Sequence, residues 1–278
     1  MSNPTRYEDY KDKYKNIRFD RTAEGIVTIT MHTDGDSLKW AGPAHDELAW
    51  AFGDVAGDAD VSAVILTGTG EHFIADFNYG TVPLSGGQLP SSDLMAHKGW
   101  SGYQLLQNML DIQVPMIAAI NGPCPIHTEL PIMCDVVLAA EDVWFEDKPH
   151  FPMGVVPGDG MHVIWPLVVG QNRARYFLTT DLRLTAQDLK DWGAVNEILP
   201  KADVLTRAME LAKQIALKPP ITRKYTRRLL TQPFRKAVVE ELSHGLGLEI
   251  YAMRAFWPVG NQSMKQAWDS DSPFAEPS

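Results

Sequence analysis

The stretch VPMIAAINGPCPIHTELPIMCDVVLA, residues 114–139, decides the fold of this chain. It begins with one apolar run, 114–120, and ends with another, 135–139, both of a length that suits buried strands. A proline-rich junction lies between the two runs and leads into a short predicted helix. Strand–helix–strand alternation of this kind is typical of parallel βαβ units, so the stretch predicts an α/β protein.

The alternation of strands and helices continues on both sides of this stretch. Residues 17–32 alternate in polarity around a turn at Ala23–Gly25 and predict a β-hairpin, and 61–67 predict another buried strand. Residues 80–95 are rich in Gly, Ser and Pro and predict a long loop, either a mobile lid or a partly disordered segment. Helices are predicted at 43–57, 103–111, 203–216, 221–231 and 234–256.

Composition and charge exclude several classes of protein. The 278 residues, 45% of them hydrophobic, can bury a large core as one domain with an appendage or as two small domains. A net charge of −10 repels phosphate backbones, so no nucleic-acid partner is expected. No apolar run approaches the ~18–20 residues of a membrane-spanning helix, and residues 1–16 are too polar for a secretory leader. Cys124 and Cys134 match no zinc spacing, so we expect no metal and a cytoplasmic protein with reduced thiols.

His150 and Asp159 have the clearest catalytic context. They lie nine residues apart in FEDKPHFPMGVVPGDGMH, 145–162, where prolines and glycines leave little room for regular structure. A loop that doubles back could place the carboxylate on one imidazole nitrogen and fix its tautomer, leaving the other nitrogen free to take a proton from water. On spacing alone the commoner alternative is an ordinary loop, with Asp159 capping a helix that begins near Gly160.

Three further side chains are candidates for binding. The three prolines of the junction carry no N–H, so stabilisation of an anion there would need a side chain such as His127; the alternative is a satisfied histidine at a helix entrance. Trp40, in SLKWAG, carries an indole N–H that needs a partner if buried, although tryptophan more often belongs to the core. Glu249 lies on a predicted helix, where a solvated carboxylate is the commoner situation.

Two segments carry a family resemblance. AAINGPC, continued by PIMCDVVLAAEDVWFEDKPHFPMGVVPGDG up to residue 160, resembles the crotonase (enoyl-CoA hydratase/isomerase) superfamily, as does LTAQDLKDWGAVNEILP at 184–200. The resemblance implies an α/β fold: a crotonase ββα spiral core domain, placed at 1–200, and a C-terminal helical oligomerisation region at 201–278. It also implies a homotrimer or a dimer of trimers.

The chain departs from the common superfamily pattern at two places. Ile126-His127-Thr128 replaces a run of three glycines, and the loop that supplies the other oxyanion amide and contacts CoA has the sequence HFIADF at 72–77. A smaller subgroup, the 6-oxocamphor hydrolase-like β-diketone hydrolases, is similar to this chain at SL-x-W, HDELA, NGP-x-x-x-H-x-E-x-P and PHFP-x-G-x-VPGDG-x-H-x-x-WP.

This second resemblance implies a cofactor-independent hydrolase that cleaves a C–C bond of a cyclic, non-enolisable β-diketone to give a keto acid, a retro-Claisen reaction. It implies that His150 and Asp159 activate water, that His127 and Trp40 bind the diketone oxygens, and that Glu249 lines the site. Two alternatives stay open: an acyl-CoA hydratase or hydrolase with a rearranged site, and a catalytically silent scaffold that uses the fold for oligomer contacts.

Overall fold

A computed structural model of the protein describes residues 5–74, 76–78, 91–256 and 264–269. Most of the predicted loop at 80–95, up to residue 90, lies outside these described residues. The strands are β1 (Ile17–Arg21), β2 (Ile26–Met31), β3 (Lys39–Trp40), β4 (Ala63–Gly68), β5 (Asp76–Phe77), β6 (Met116–Ile120), β7 (Val136–Ala140), β8 (Trp144–Phe145), β9 (Leu184–Thr185) and β10 (Glu197–Leu199).

A six-stranded sheet in the order β1-β2-β4-β6-β7-β10 forms the centre of the molecule. The predicted hairpin is confirmed, since β1 and β2 pair antiparallel from Ile17 opposite Met31 to Arg21 opposite Val27. Every other neighbouring pair in this sheet is parallel, as the alternation of elements predicts. All five residues of β6 are buried, so this strand lies in the core with its carboxyl end at the proline-rich junction.

Helices cover the sheet and continue beyond it. Four helical predictions, at 43–57, 203–216, 221–231 and 234–256, are confirmed to within about two residues at each end. Among the described residues no helix is both long enough and apolar enough to cross a lipid bilayer. The helices are α1 (Tyr7–Tyr10), α2 (Gly42–Gly57), α3 (Ser92–Asp111), α4 (Glu129–Ile132), α5 (Met161–Val169), α6 (Gln171–Leu178), α7 (Ala186–Asp191), α8 (Val204–Ala216), α9 (Pro220–Leu230), α10 (Gln232–Ala237), α11 (Ser243–Phe256) and α12 (Met264–Asp269), with a π-helical turn over Val238–Leu242 joining α10 to α11.

The helix predicted at 103–111 is present, but it is longer than expected, because α3 begins at Ser92. Two glycines, Gly99 and Gly102, lower the helix propensity of the first half and hide the start from the sequence pattern. They are tolerated because α11 packs there: a β-carbon on either glycine would lie 3.0 Å from the side chain of Ile250 or Leu246. Tertiary packing therefore overrides local propensity in this helix.

The C-terminal helices are fastened to the sheet by packing and by one buried cation. The boundary predicted at residue 200 falls between β10 and α8, and α8 packs against β4 and β6. Arg227 of α9 is buried, with its Nε 2.8 Å from Asp135 Oδ2, and its guanidinium donates to the backbone carbonyls of Leu110 and Ile112 at the end of α3. These charge-assisted hydrogen bonds hold α9 against α3 and β6.

Candidate active site

A mostly apolar pocket of about 330 Å³ lies where α2, α3 and α11 meet the loops that follow β6 and β8. All five side chains predicted from the sequence line it: Trp40, His127, His150, Asp159 and Glu249. The fold brings them together from four separate segments of the chain. A concave apolar site with a few convergent polar groups is the usual form of a small-molecule site.

His150 and Asp159 meet because the loop after β8 doubles back. The His150 Nε2 and Asp159 Oδ2 atoms lie 3.3 Å apart, and both side chains are buried. The alternative, in which Asp159 caps a helix, is wrong: α5 begins at Met161 with Gly160 at its N-cap, and the Asp159 carboxylate faces imidazoles instead. One imidazole and one carboxylate are thus held in contact at the wall of the pocket.

The second nitrogen of His150 is not free, contrary to the sequence expectation. Its Nδ1–H donates to Asp147 Oδ1 at 2.6 Å, so both nitrogens of the ring face carboxylates. Asp147 is buried as well. Sequence reasoning passed over it as one charge among several in a polar loop, although the D-x-x-H spacing is a local pattern that could have drawn attention to it.

The charges around His150 set its protonation. Burial alone would lower the pKa of His150, but Asp147 and Asp159 outweigh burial and raise the pKa well above its ordinary 6.5. Burial alone would likewise raise the pKa of Asp159, yet His150 and His127 hold it well below its ordinary value. At neutral pH the resting site therefore contains an imidazolium between two carboxylates.

His127 occupies the junction after β6 in an uncommon backbone conformation. Its φ of 51° lies in the left-handed region, which costs a residue other than glycine roughly 1–2 kcal/mol. The His127 Nδ1–H donates to Glu129 Oε1 at 2.7 Å, and the same nitrogen lies 3.5 Å from Asp159 Oδ2. Burial opposes protonation of this ring, but Glu129 and Asp159 raise the pKa of His127 above its ordinary value. The side chain is thus a hydrogen-bond donor next to the His150–Asp159 pair, and the two carboxylates favour its protonated form.

Trp40 lies against His127, with the ring centroids 4.2 Å apart and the planes tilted by 43°. Trp40 is buried, yet its indole N–H has no acceptor among the described residues. His45 packs edge-on against Trp40, with the centroids 5.5 Å apart, and burial lowers its pKa to about 4, so this ring is neutral. Sequence reasoning gave His45 no role, although it begins the HDELA motif.

Glu249 extends from α11 into the pocket, so the alternative of a solvated helix carboxylate is wrong. Its Oε2 is buried and accepts no hydrogen bond from the described part of the chain. Burial, and then the charge of Asp159, raise the pKa of Glu249 to about 8. The approach of α11 depends on glycine, since a β-carbon on Gly158 would collide with the carbonyl oxygen of Gly245. Glu249 is therefore a neutral acid at pH 7, held over the loop that carries Asp159.

Two overlapping sets of side chains have the composition of metal ligands. In each set, the potential ligand atoms lie within 4.8 Å of one another; the sets are His127 with Glu129 and Asp159, and His150 with Asp159 and Glu249. Imidazole and carboxylate also suit zinc. In the first set, His127 Nδ1 already donates a hydrogen bond to Glu129 Oε1 at 2.7 Å, so a proton lies between these two potential ligand atoms. We expect the site to work without a metal.

Comparisons with known proteins concern the chain as a whole and support its fold. The family model of enoyl-CoA hydratase/isomerase matches residues 21–254. A β-diketone hydrolase from the cyanobacterium Anabaena sp. PCC 7120, solved bound to (S)-3-oxocyclohexyl acetic acid, is 38% identical over 92% of this chain and 99% of its own, with a TM-score of 0.84. An enoyl-CoA hydratase/isomerase from Mycobacterium paratuberculosis is 25% identical over 92% and 98% of the two chains, with a TM-score of 0.80. The 4-chlorobenzoyl coenzyme A dehalogenase-2 of Arthrobacter sp is 30% identical over 200 residues, 70% of this chain and 71% of the dehalogenase.

Proposed function

This chain belongs to the enoyl-CoA hydratase/isomerase family of the crotonase superfamily. Within this family, we propose that it hydrolyses a C–C bond of a cyclic, non-enolisable β-diketone. The observation that carries this proposal is the contact of His150 and Asp159 at the wall of a small apolar pocket. Such a pair activates water directly and needs no covalent nucleophile. The similarity to the Anabaena β-diketone hydrolase supports the same reaction class.

The first step is attack of water on one carbonyl. His150 Nε2, in its neutral form, takes one proton of the water while the Asp159 carboxylate accepts a hydrogen bond from the other. The hydroxyl oxygen adds to the carbonyl carbon and gives a tetrahedral alkoxide. His127 and Trp40 lie next to this pair and donate hydrogen bonds to the diketone oxygens, which stabilises the charge that develops.

The second step breaks the C–C bond between the attacked carbonyl carbon and the carbon that separates the two carbonyl groups. The alkoxide collapses to a carboxylic acid, and the electron pair of the broken bond passes to the second carbonyl, which holds it as an enolate. The proton that His150 took from water returns to the enolate carbon and gives the keto acid. Glu249, neutral at pH 7, is a hydrogen-bond donor available to the bound diketone. The substrate supplies its own electron sink, so no thioester or cofactor is required.

The decisive experiment is hydrolysis of a small panel of bicyclic 1,3-diketones by the purified protein, with and without EDTA. We expect keto acid products of measurable optical rotation and rates that EDTA does not change. An Asp159→Asn variant assayed on the same panel identifies any background hydrolysis. Absence of turnover above that background on every diketone would overturn the proposal.

A second candidate, an acyl-CoA hydratase or hydrolase, is favoured by the CoA-dependent dehalogenase among the relatives. Against it stands the junction after β6, where His127 occupies the left-handed position with a side chain in place of glycine. Isothermal titration with an acyl-CoA separates the two candidates, because tight binding together with no cleavage of diketones would favour the second.

The pH profile should carry two limbs. His150 acts as a base only when neutral, so kcat/KM should rise with pH through a pKa above 6.5. Glu249 loses its proton near pH 8, which adds a negative charge beside Asp159, so the rate should fall at higher pH. Initial rates from pH 5 to 10 measure both limbs. Glu249→Gln should remove the alkaline limb and keep the acid limb; a flat profile would contradict both assignments.

We also propose that α9 contacts further copies of the chain in a homotrimer or a dimer of trimers. Ile221, Tyr225 and Leu229 follow one another at helical spacing and are 61, 64 and 74% exposed. Light scattering should give three or six times the chain mass of 30.9 kDa. Tyr225→Glu should shift the protein to smaller species, while the neighbouring Lys224→Glu should not; a monomeric wild-type protein would contradict this proposal.

A further inference from the structure

We infer that Asp147, rather than Asp159, fixes the tautomer of His150 and thereby makes Nε2 the proton-accepting atom. The consequence for turnover rests on the proposed function, but the inference concerns the resting protein. It gives Asp147 a positioning role and leaves Asp159 to share the attacking water with the imidazole.

The two carboxylates differ in their geometry toward the ring. Asp147 Oδ1 lies 2.6 Å from Nδ1, whereas Asp159 Oδ2 lies 3.3 Å from Nε2. A carboxylate accepts hydrogen bonds and cannot donate them when ionised, so the closer one selects the nitrogen that keeps its proton. When His150 loses one proton, the remaining proton therefore stays on Nδ1.

The surroundings of Asp147 strengthen this selection. Asp147 is buried, and its second oxygen, Oδ2, accepts no hydrogen bond from the described residues, so its charge acts on His150 with little competition. The backbone carbonyl of His150 accepts hydrogen bonds at 2.9 Å from the N–H groups of both Met153 and Val155. The backbone of His150 is thus fixed, and its buried ring is held by the 2.6 Å contact with Asp147 Oδ1.

Asp159 is placed for a different role. Its Oδ2 faces two imidazoles, His150 Nε2 at 3.3 Å and His127 Nδ1 at 3.5 Å, while its buried Oδ1 has no donor among the described residues. Once Nε2 has lost its proton, the lone pair of that nitrogen and the Asp159 carboxylate are neighbouring acceptors on the same side of the ring. A water molecule has two protons to donate to such a pair, which turns its own lone pair toward the substrate.

The neighbouring histidine follows the same arrangement. His127 Nδ1–H donates to the buried Glu129 at 2.7 Å, two residues further along the chain. In both histidines a carboxylate close in sequence occupies Nδ1, and in both the remaining nitrogen is Nε2. Each imidazole is therefore held at Nδ1 by a carboxylate close to it in sequence.

The test is nitrogen-15 NMR of the histidines in the resting protein, combined with kinetics of Asp147→Asn and Asp147→Ala. Above the pKa of His150 we expect its proton on Nδ1 in the wild-type protein. In both variants the pKa of His150 should fall, the acid limb of kcat/KM should move to lower pH, and kcat should fall about 10- to 10²-fold with KM within about twofold. Asp142→Asn, which changes an exposed carboxylate just before β8, should change neither readout.

Asp159→Asn provides the contrast, since it should lower kcat while leaving the proton of His150 on Nδ1. The inference is overturned if the wild-type proton is found on Nε2, or if Asp159→Asn moves the proton and Asp147→Asn does not. The wild-type spectrum decides the first point even if an Asp147 variant fails to fold. Failure of the wild-type protein to cleave any diketone would overturn the proposed function and leave the NMR result to decide this inference separately.

Discussion

His150→Ala and Asp159→Asn are each expected to lower kcat for diketone hydrolysis by about 10²–10⁴-fold, the range that a positioned general base contributes. The first variant removes the proton acceptor, and the second removes the charge that faces it at 3.3 Å. The measurement is single-substrate kinetics of both variants and of the wild-type protein at the pH of maximal rate.

These two variants should remain folded, because each leaves the loop after β8 with its backbone hydrogen bonds. Circular dichroism and the thermal midpoint check this. The double variant should be about as slow as the slower single variant, since the two side chains act on one proton. Near-wild-type rates in both single variants would contradict the proposed mechanism.

His127→Ala is expected to lower kcat/KM by about 10²–10³-fold, the cost of removing one oxyanion donor. The effect should fall mainly on transition-state stabilisation. Glu129 and Asp159 raise the pKa of His127 and so favour its protonated form, which is the stronger donor to a developing negative charge. The measurement is kcat and KM of the variant on the diketone that the wild-type protein cleaves fastest.

His127→Asn is the matched variant, since asparagine adopts left-handed backbone more readily than alanine and retains an N–H donor. We expect it to keep more activity than His127→Ala and to unfold at a similar or higher temperature. Equal activity of the wild-type protein and His127→Ala would show that the His127 imidazole does not stabilise the transition state.

Much of the fold can be predicted from the sequence because long apolar runs and turn residues are local properties. The hairpin at 17–32 and the strand at 114–120 are both present in the structure, the strand shorter by two residues at its start. The start of α3 at Ser92 could not be predicted, since it depends on glycines that pack against α11, far along the chain. The paired strands β3, β5, β8 and β9 are two residues each, too short to show a pattern.

Some residues of the candidate site can be predicted from the sequence, and others only from the structure. His127, His150 and Asp159 stand out in unusual proline- and glycine-rich segments, and the family resemblance draws attention to them. Asp147 and Glu129 are given no role by the sequence, because neither the D-x-x-H spacing nor the H-x-E motif shows by itself that the carboxylate is buried against the imidazole. Protonation states also cannot be predicted from the sequence, since they follow from burial and from charges that only the folded chain brings together.

The packing of α11 against the loop around Gly158 determines when the pocket is complete during synthesis. A nascent chain that has left the ribosome only as far as β10 already contains both imidazoles and Asp159, yet it lacks Glu249 and the wall that Leu246 and Met253 provide. Its reactive groups remain open to bulk water until α11 docks. Loss of α11 from a finished molecule would remove the same residues, Glu249, Leu246 and Met253, from the wall of the pocket.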